Sequence, residues 1–297
     1  VFMYLYGKTV DGQQICVIHS YQPYFYASWK SADPTTLEKH LSTLQIEAHD
    51  IPAKVVRWEE VEKELLGKKG KYLKVYVNYP KAVPLISKSL EELGVICYEK
   101  DILFIHRYLR DLSLIPMTLT KVVGTLLSSS ELRVPAFMAQ QVEAVGKEQV
   151  QNLSIIALDI ETYAVRKEID PHRNPILMIA LYGIDQRGKE VQKVLTWKRF
   201  AHTLSYVEHC HDEREMLQRF RHLMLELQPD ILTGYFSDGF DLPYLSIRAE
   251  KQGVFLDLGR DHSELQVTNK EQIRDAEGRI KGLIHLDVLK FIRNIFG

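Results

Sequence analysis

Cysteine is scarce in this sequence: among 297 residues there are three, Cys16, Cys97 and Cys210, far apart and without C-x-x-C spacing. That argues against a disulfide framework and against structural zinc, and it fits a reducing cytosol. Long apolar runs are missing as well. No stretch of about 18 uninterrupted apolar residues offers itself as a membrane span, and no secretory signal is read. Neither sign of charge dominates: the net charge is −1, so contact with nucleic acid has to come from local patches and not from a globally basic surface. What is there is 45% apolar residues with ordinary charge content, enough for a globular chain of two domains with separate cores.

An α/β (α+β) organisation is expected. Over residues 1–116 strands rich in Tyr, Val and Ile alternate with helices. YLKVYVNY (Tyr72 to Tyr79) reads as a strand. AVPLISKSLEELG (Ala82 to Gly94) reads as a helix with Pro84 in its first turn and Gly94 as its C-terminal cap, and VICYEKDIL as extended again. Strand, helix, strand at this length predicts a small, β-rich domain of ferredoxin-like type. Residues 117–150, with Ser128, Ser129, Ser130 and Pro135, break the periodicity and read as a connecting segment. The second domain, residues 151–297, continues as a hairpin of LMIALYGID and EVQKVLTW turning at Gln186, Arg187 and Gly188. A helix follows, opened by Asp212 with Glu215 three residues on, and carrying Leu217, Phe220, Met224 and Leu227 at helical spacing until Pro229. DILTGYF then reads as another buried strand. The sequence stops directly after the amphipathic run LDVLKFIRNIF, and reads as a fragment cut at both ends.

Chemistry enters at LDIETY. The run before it (Ser154, Ile155, Ile156, Ala157, Leu158) reads as a fully buried strand. Residues two apart on a strand point the same way, so Asp159 and Glu161 share an edge with no counter-ion in the local sequence. Two close carboxylates repel and push one pKa upward, whereas a divalent cation between them holds both ionised and can activate a water. The plain alternative is that both acids lie past the strand end in solvent. Asp241 also has two readings. Just before the Pro243 turn it is a good helix N-cap, and at the end of a sheet strand it could complete a metal cluster with a neighbouring strand.

In series these residues resemble the amino-terminal part of a family B DNA polymerase of archaeal type. LDIETY is similar to the family's first exonuclease motif, with Asp159 and Glu161 as its acids, and GYFSDGFDLPYLSIRAE to the second, with its catalytic Asp at Asp241. KDILFIHRYL, LSLIPM, DEREML, LQPDIL, LGRD and GRIKGLIHLD follow in the family's order, so the resemblance covers nearly the whole chain. It implies an RNase H-like 3′-5′ exonuclease domain with a mixed sheet after the amino-terminal domain, and two-metal phosphodiester hydrolysis with Mg²⁺ or Mn²⁺. Asp159 would be the shared ligand, Glu161 would serve the water-activating ion and Asp241 the leaving-group ion, with Thr162, Phe236 and Phe240 beside the substrate. The implied partners are a DNA 3′ single-stranded end, the template strand, the rest of a polymerase chain and a sliding clamp, in a prokaryotic cytoplasm at the nucleoid.

Two departures from the family bear on this. Phe236 stands where the second motif carries Asn, which removes an amide that could position the terminal nucleotide. The third motif, a Tyr followed four residues later by the last metal-binding Asp, would lie beyond Gly297, and the palm motifs are absent. Two other functions stay open: an inactive exonuclease scaffold, and a module that senses template uracil. For the latter, the resemblance places Pro23, Val83, Phe104 and Arg107 in a uracil pocket, against a plain reading as packing residues and a helix-surface cation. Lys68, Lys69, Lys71 and Lys74 read as a solvated loop. His209 and His211 around Cys210 lack a second ligand pair at zinc spacing and are assigned no metal.

Overall fold

The computed structural model describes residues 1–28, 34–48, 51–128, 131–164, 169–268 and 276–296. They form two compact units. One comprises Val1–Leu5, Val17–Leu126 and Phe137–Gln149, the other Tyr6–Cys16, Leu127–Ala136 and Val150–Gly297. Among the described residues no helix is long and apolar enough to cross a membrane.

The chain opens with β1 (Phe2–Lys8), β2 (Gln14–Ser20) and β3 (Tyr24–Ser28), then α1 (Pro34–Thr43), β4 (Gln45–Ile46), β5 (Ala53–Leu65), β6 (Lys68–Val77), α2 (Ala82–Glu92), β7 (Ile96–Tyr98) and α3 (Phe104–Asp111). In the first unit the five-stranded sheet runs β4-β5-β6-β3-β7, with β3 antiparallel to both β6 and β7 and β5 antiparallel to β6. Apart from the two-residue β4 this is the β-α-β-β-α-β order of a ferredoxin-like sheet. Phe25, Val75 and Val77 project from its centre onto Ile86 and Leu90 of α2 and Leu41 of α1, all buried. At the end of α2, Gly94 takes φ +81° while its N–H and that of Val95 reach back to Glu91 and Leu90, which closes the helix as the sequence suggests.

Three expectations are corrected here. VICYEKDIL is a three-residue strand followed by a turn, because Glu99 adopts φ +54° and its carboxylate is taken by Arg107 and Arg110 of α3. The Lys68 to Lys74 run is a strand, not a loop: Lys69, Lys71 and Lys74 stand opposite Glu64, Glu62 and Glu59 of β5, and facing charges of opposite sign keep the ladder. The connecting segment is mostly two long paired strands, β8 (Thr118–Leu126) and β9 (Ala136–Gln149), in a sheet ordered β1-β2-β9-β8. Their alternation is masked by register shifts, one of them at Gly124, where a Cβ would lie 2.0 Å from the Met138 carbonyl oxygen. Ser129 and Ser130 lie outside the described residues.

The second unit carries β10 (Ile155–Thr162), β11 (Ile176–Ile184), β12 (Glu190–Thr196), β13 (Val207–His209), α4 (Glu213–Leu227), β14 (Ile231–Gly234), α5 (Asp241–Gln252), β15 (Gln266–Thr268), β16 (Glu277–Arg279), β17 (Ile284–Asp287) and α6 (Val288–Phe296). Its mixed sheet runs β13-β12-β11-β10-β14-β17, with β10, β11 and β12 antiparallel and β14 and β17 parallel to β10. The expected hairpin and helix form as read: Asp212 caps α4 by accepting the Glu215 N–H at 2.8 Å, and Met216, Leu217, Phe220 and Met224 enter the core. Glu213 and Arg248 form a buried ion pair between α4 and α5, and Glu213 also takes the Ile176 N–H of β11. The strand at LDIETY is not buried on both faces. Ile156, Leu158 and Ile160 point into the core with Leu242, Leu245 and Ala249 of α5, while Asp159 and Glu161 alternate onto an exposed face.

Candidate active site

Because β10, β14 and β17 run parallel, their carboxyl ends share one edge of the sheet, and that edge gathers the chemistry. Asp159 and Glu161 project from the last four residues of β10. The loop after β14 supplies Tyr235, Phe236 and Phe240 and leads into α5 at Asp241. Leu289 and Arg293 come from α6, which follows β17 without a break. These residues, with Ile160, line one open cleft of about 430 Å³. The two acids of LDIETY therefore do not trail into solvent beyond the strand; they are part of it and face the cleft.

Of the two readings of Asp241, the geometry does not bear out the helix cap. Phe240, not Asp241, is the residue before α5, and no side chain caps there. Instead the Asp241 carboxylate, 2% exposed, accepts the backbone N–H of Ile160 at 3.0 Å, and so sits beside the strand between Asp159 and Glu161. Burial first, and then the charge of Asp159, push its pKa up to about 6, while the Ile160 N–H pulls the other way and Asp287 adds a further rise. Asp241 is thus a buried acid raised in part by a neighbouring one. An all-oxygen donor set in which one acid already feels another suits a hard divalent cation. Among the described residues no group of three His, Cys, Asp or Glu side chains is drawn close enough to form a ready-made metal cluster.

A network that the sequence reading did not single out holds this arrangement. Asp287, 4% exposed at the end of β17, accepts the N–H groups of Phe236 at 3.2 Å and Asp238 at 3.0 Å from the loop, and of Leu289 at 2.9 Å and Lys290 at 3.2 Å from α6. It is at once the cap of α6 and the tether of the loop. Asp238 faces His285 at 3.2 Å and Lys290 at 2.8 Å and accepts the Gly278 N–H at 2.7 Å. Burial opposes its charge, yet His285, Lys290 and that N–H together hold the carboxyl well below the usual carboxylate range. One signal was present in the sequence: IHLD ends an apolar strand on an acid, as LDIE does.

Phe236 adopts φ +60°, a left-handed conformation that costs a bulky residue about 1 kcal/mol or more. Its ring overlies Gly239, where an added Cβ would lie 2.3 Å from the Phe236 Cε2. Phe240 packs on Tyr244, with ring centroids 5.4 Å apart. Thr162 is half-buried beside the Tyr244 hydroxyl and is not among the residues lining the cleft.

The residues assigned to a uracil pocket fall in the first unit. Arg107 is 2% exposed and not a helix-surface cation: it pairs with Glu99 at 2.8 Å, donates to the Glu99 carbonyl at 2.6 Å and lies 4.3 Å over the Tyr24 ring. Phe104 meets Tyr21 at 5.4 Å, and Pro23 is buried between those two tyrosines in sequence. Val83 belongs to the core beneath α2.

Comparison with known proteins gives concordant results. The family profile described as "DNA polymerase family B, exonuclease domain" matches residues 95–296. A DNA polymerase of Pyrococcus glycovorans is 34% identical over 276 residues, which are 92% of this chain and 30% of that protein. A DNA polymerase of Thermococcus kodakarensis is 33% identical over 276 residues, 92% of this chain and 14% of that protein. The structure of the family B DNA polymerase from the hyperthermophilic archaeon Pyrobaculum calidifontis superposes with a TM-score of 0.77 at 25% identity, over 100% of this chain and 37% of that one. The chain thus spans less than a third of the length of these two sequence relatives.

Proposed function

We propose, for a chain that belongs to the family B DNA polymerases through their exonuclease domain, that the cleft at the end of β10 hydrolyses the 3′-terminal phosphodiester of DNA as the proofreading site of a polymerase. The observation that carries the reading is the hydrogen bond from Ile160 to Asp241, which sets a third carboxylate against Asp159 and Glu161 in one cleft. Asp159, Glu161 and Asp241 would hold two divalent cations, Mg²⁺ or Mn²⁺, which when bound supply an activated water and charge stabilisation for the departing 3′ oxygen. The chain's own residues do the rest. Ile160 fixes the Asp241 carboxylate. Phe236 and Phe240 offer ring faces, with no base-edge donor, to the terminal nucleotide, and Asp287 and Asp238 keep the loop bearing them in register with α5.

Replacement of one carboxylate forfeits several kcal/mol of transition-state stabilisation. Asp159→Ala in the intact polymerase is expected to slow release of 3′ mononucleotides roughly a thousandfold or more while primer extension persists. Quench-flow digestion of a single-stranded 3′ end measures it, and near-normal release defeats the reading.

A second reading, capture of template uracil by the first unit, is favoured by the way α3 closes on the residues flanking Pro23: Phe104 against Tyr21 and Arg107 over Tyr24. An apolar slot there would exclude the 5-methyl of thymine. It expects tighter binding of a deoxyuridine-containing single strand than of its thymidine counterpart, read by fluorescence anisotropy; equal affinities dismiss it.

A further inference from the structure

Among the described residues, the cleft lining contains three carboxylates and a single cation, Arg293. A phosphodiester entering it adds negative charge to a negative surface, so some group of the protein has to meet the phosphate on the side away from the acids. We infer that Arg293 is that group: it grips the phosphate of the 3′-terminal linkage and sets its approach to the carboxylates. The inference rests on the nuclease reading of the same cleft.

Position supports it. Leu289 and Arg293 are four residues apart on α6, hence on one face of the helix, and both line the cleft. The first turn of α6 is fixed, since Asp287 takes its N–H groups and Lys290 is bound to Asp238 and to the Ala276 carbonyl. The two basic residues of the helix differ in kind. The Lys290 side chain is committed to internal partners, whereas the Arg293 side chain makes no ion pair or hydrogen bond among the described residues. A planar guanidinium held on a braced helix with nothing to bind matches the fork geometry of a phosphate better than an ammonium would. The plain role of a cation in a last helical turn, compensation of the helix dipole, needs no cleft and takes no account of DNA.

The test uses the whole 297-residue chain and a 3′-fluorescent single-stranded oligonucleotide in Ca²⁺, with anisotropy followed from low to high salt. Arg293→Ala is expected to weaken binding roughly tenfold and to lower the slope of log affinity against log salt by about 0.7, the loss of one phosphate contact on a single strand. Arg293→Lys should restore the slope but only part of the affinity. A second oligonucleotide carries a neutral methylphosphonate at the terminal linkage. Wild type should lose affinity on that change, and Arg293→Ala should lose nothing more. Additive losses, or a salt slope unchanged in Arg293→Ala, overturn the assignment while wild-type binding and metal-dependent digestion leave the nuclease reading intact. A wild-type chain that fails to bind the 3′ end at all overturns both.

Discussion

At the scale of single residues the site holds two conflicts with ordinary preference. Asp241 is a buried acid whose pKa is raised to about 6 from an ordinary value of 3.8. The folded state therefore binds its proton more tightly than the unfolded chain does, so the associated stability is full below about pH 4 and is lost as the pH climbs through 6. The loss approaches roughly 3 kcal/mol at neutral pH without metal. Asp241→Asn keeps an acceptor for the Ile160 N–H and sheds the charge. Its urea midpoint should exceed that of wild type clearly at pH 7.5 and little at pH 4.5, and a pH-independent difference would refute the argument. Phe236 is the second conflict. Phe236→Asn relieves the left-handed strain and should recover about 1 kcal/mol. Gly239→Ala, which in wild type has to displace the Phe236 ring, should then cost less in the Asn background, with a coupling near 1 kcal/mol in a double-mutant cycle. Strict additivity would mean that ring and glycine are not in contact.

Among the elements, β10 shows what the sequence could and could not disclose. The spacing of Asp159 and Glu161 was legible because a strand repeats every two residues, and α4 because its cap and its apolar stripe agree. The one-sidedness of β10 was not, since Ile155 and Ala157 are apolar yet lie on the same face as the acids. Asp241 was legible as a residue but not in placement: a proline in the first turn suits a cap as well as a site acid, and only the tertiary bond to Ile160 turns the carboxylate toward the strand. Asp287 stayed hidden because its partners are backbone N–H groups, which every sequence possesses, and Asp238 because its partners, His285, Lys290 and the Gly278 N–H, lie far along the sequence. Asp287→Ala leaves four such groups without an acceptor and is expected to lower stability by about 3 kcal/mol. Asp287→Asn should lose less, because one oxygen remains. An unchanged unfolding midpoint in Asp287→Ala would show that the tether carries no weight.

Over the molecule as a whole, the topologies of the five-stranded and six-stranded sheets follow from short local patterns, strand-helix-strand in one unit and a hairpin followed by parallel strands in the other. Residues 117–150 escaped that logic. Their strands are staggered by bulges, so the period of two slips before it can be recognised. Charge told a similar story: a net value of −1 hides a cleft whose lining is strongly acidic and a β5-β6 ribbon in which Glu59, Glu62 and Glu64 face Lys74, Lys71 and Lys69.

One side chain, Asp287, takes N–H groups from both the loop at Phe236 and the opening turn of α6. Loop and helix are therefore riveted at a common point. A strand end threading the cleft would meet an aromatic jaw and a cationic jaw that share a hinge pin, so neither can yield without dragging its opposite along.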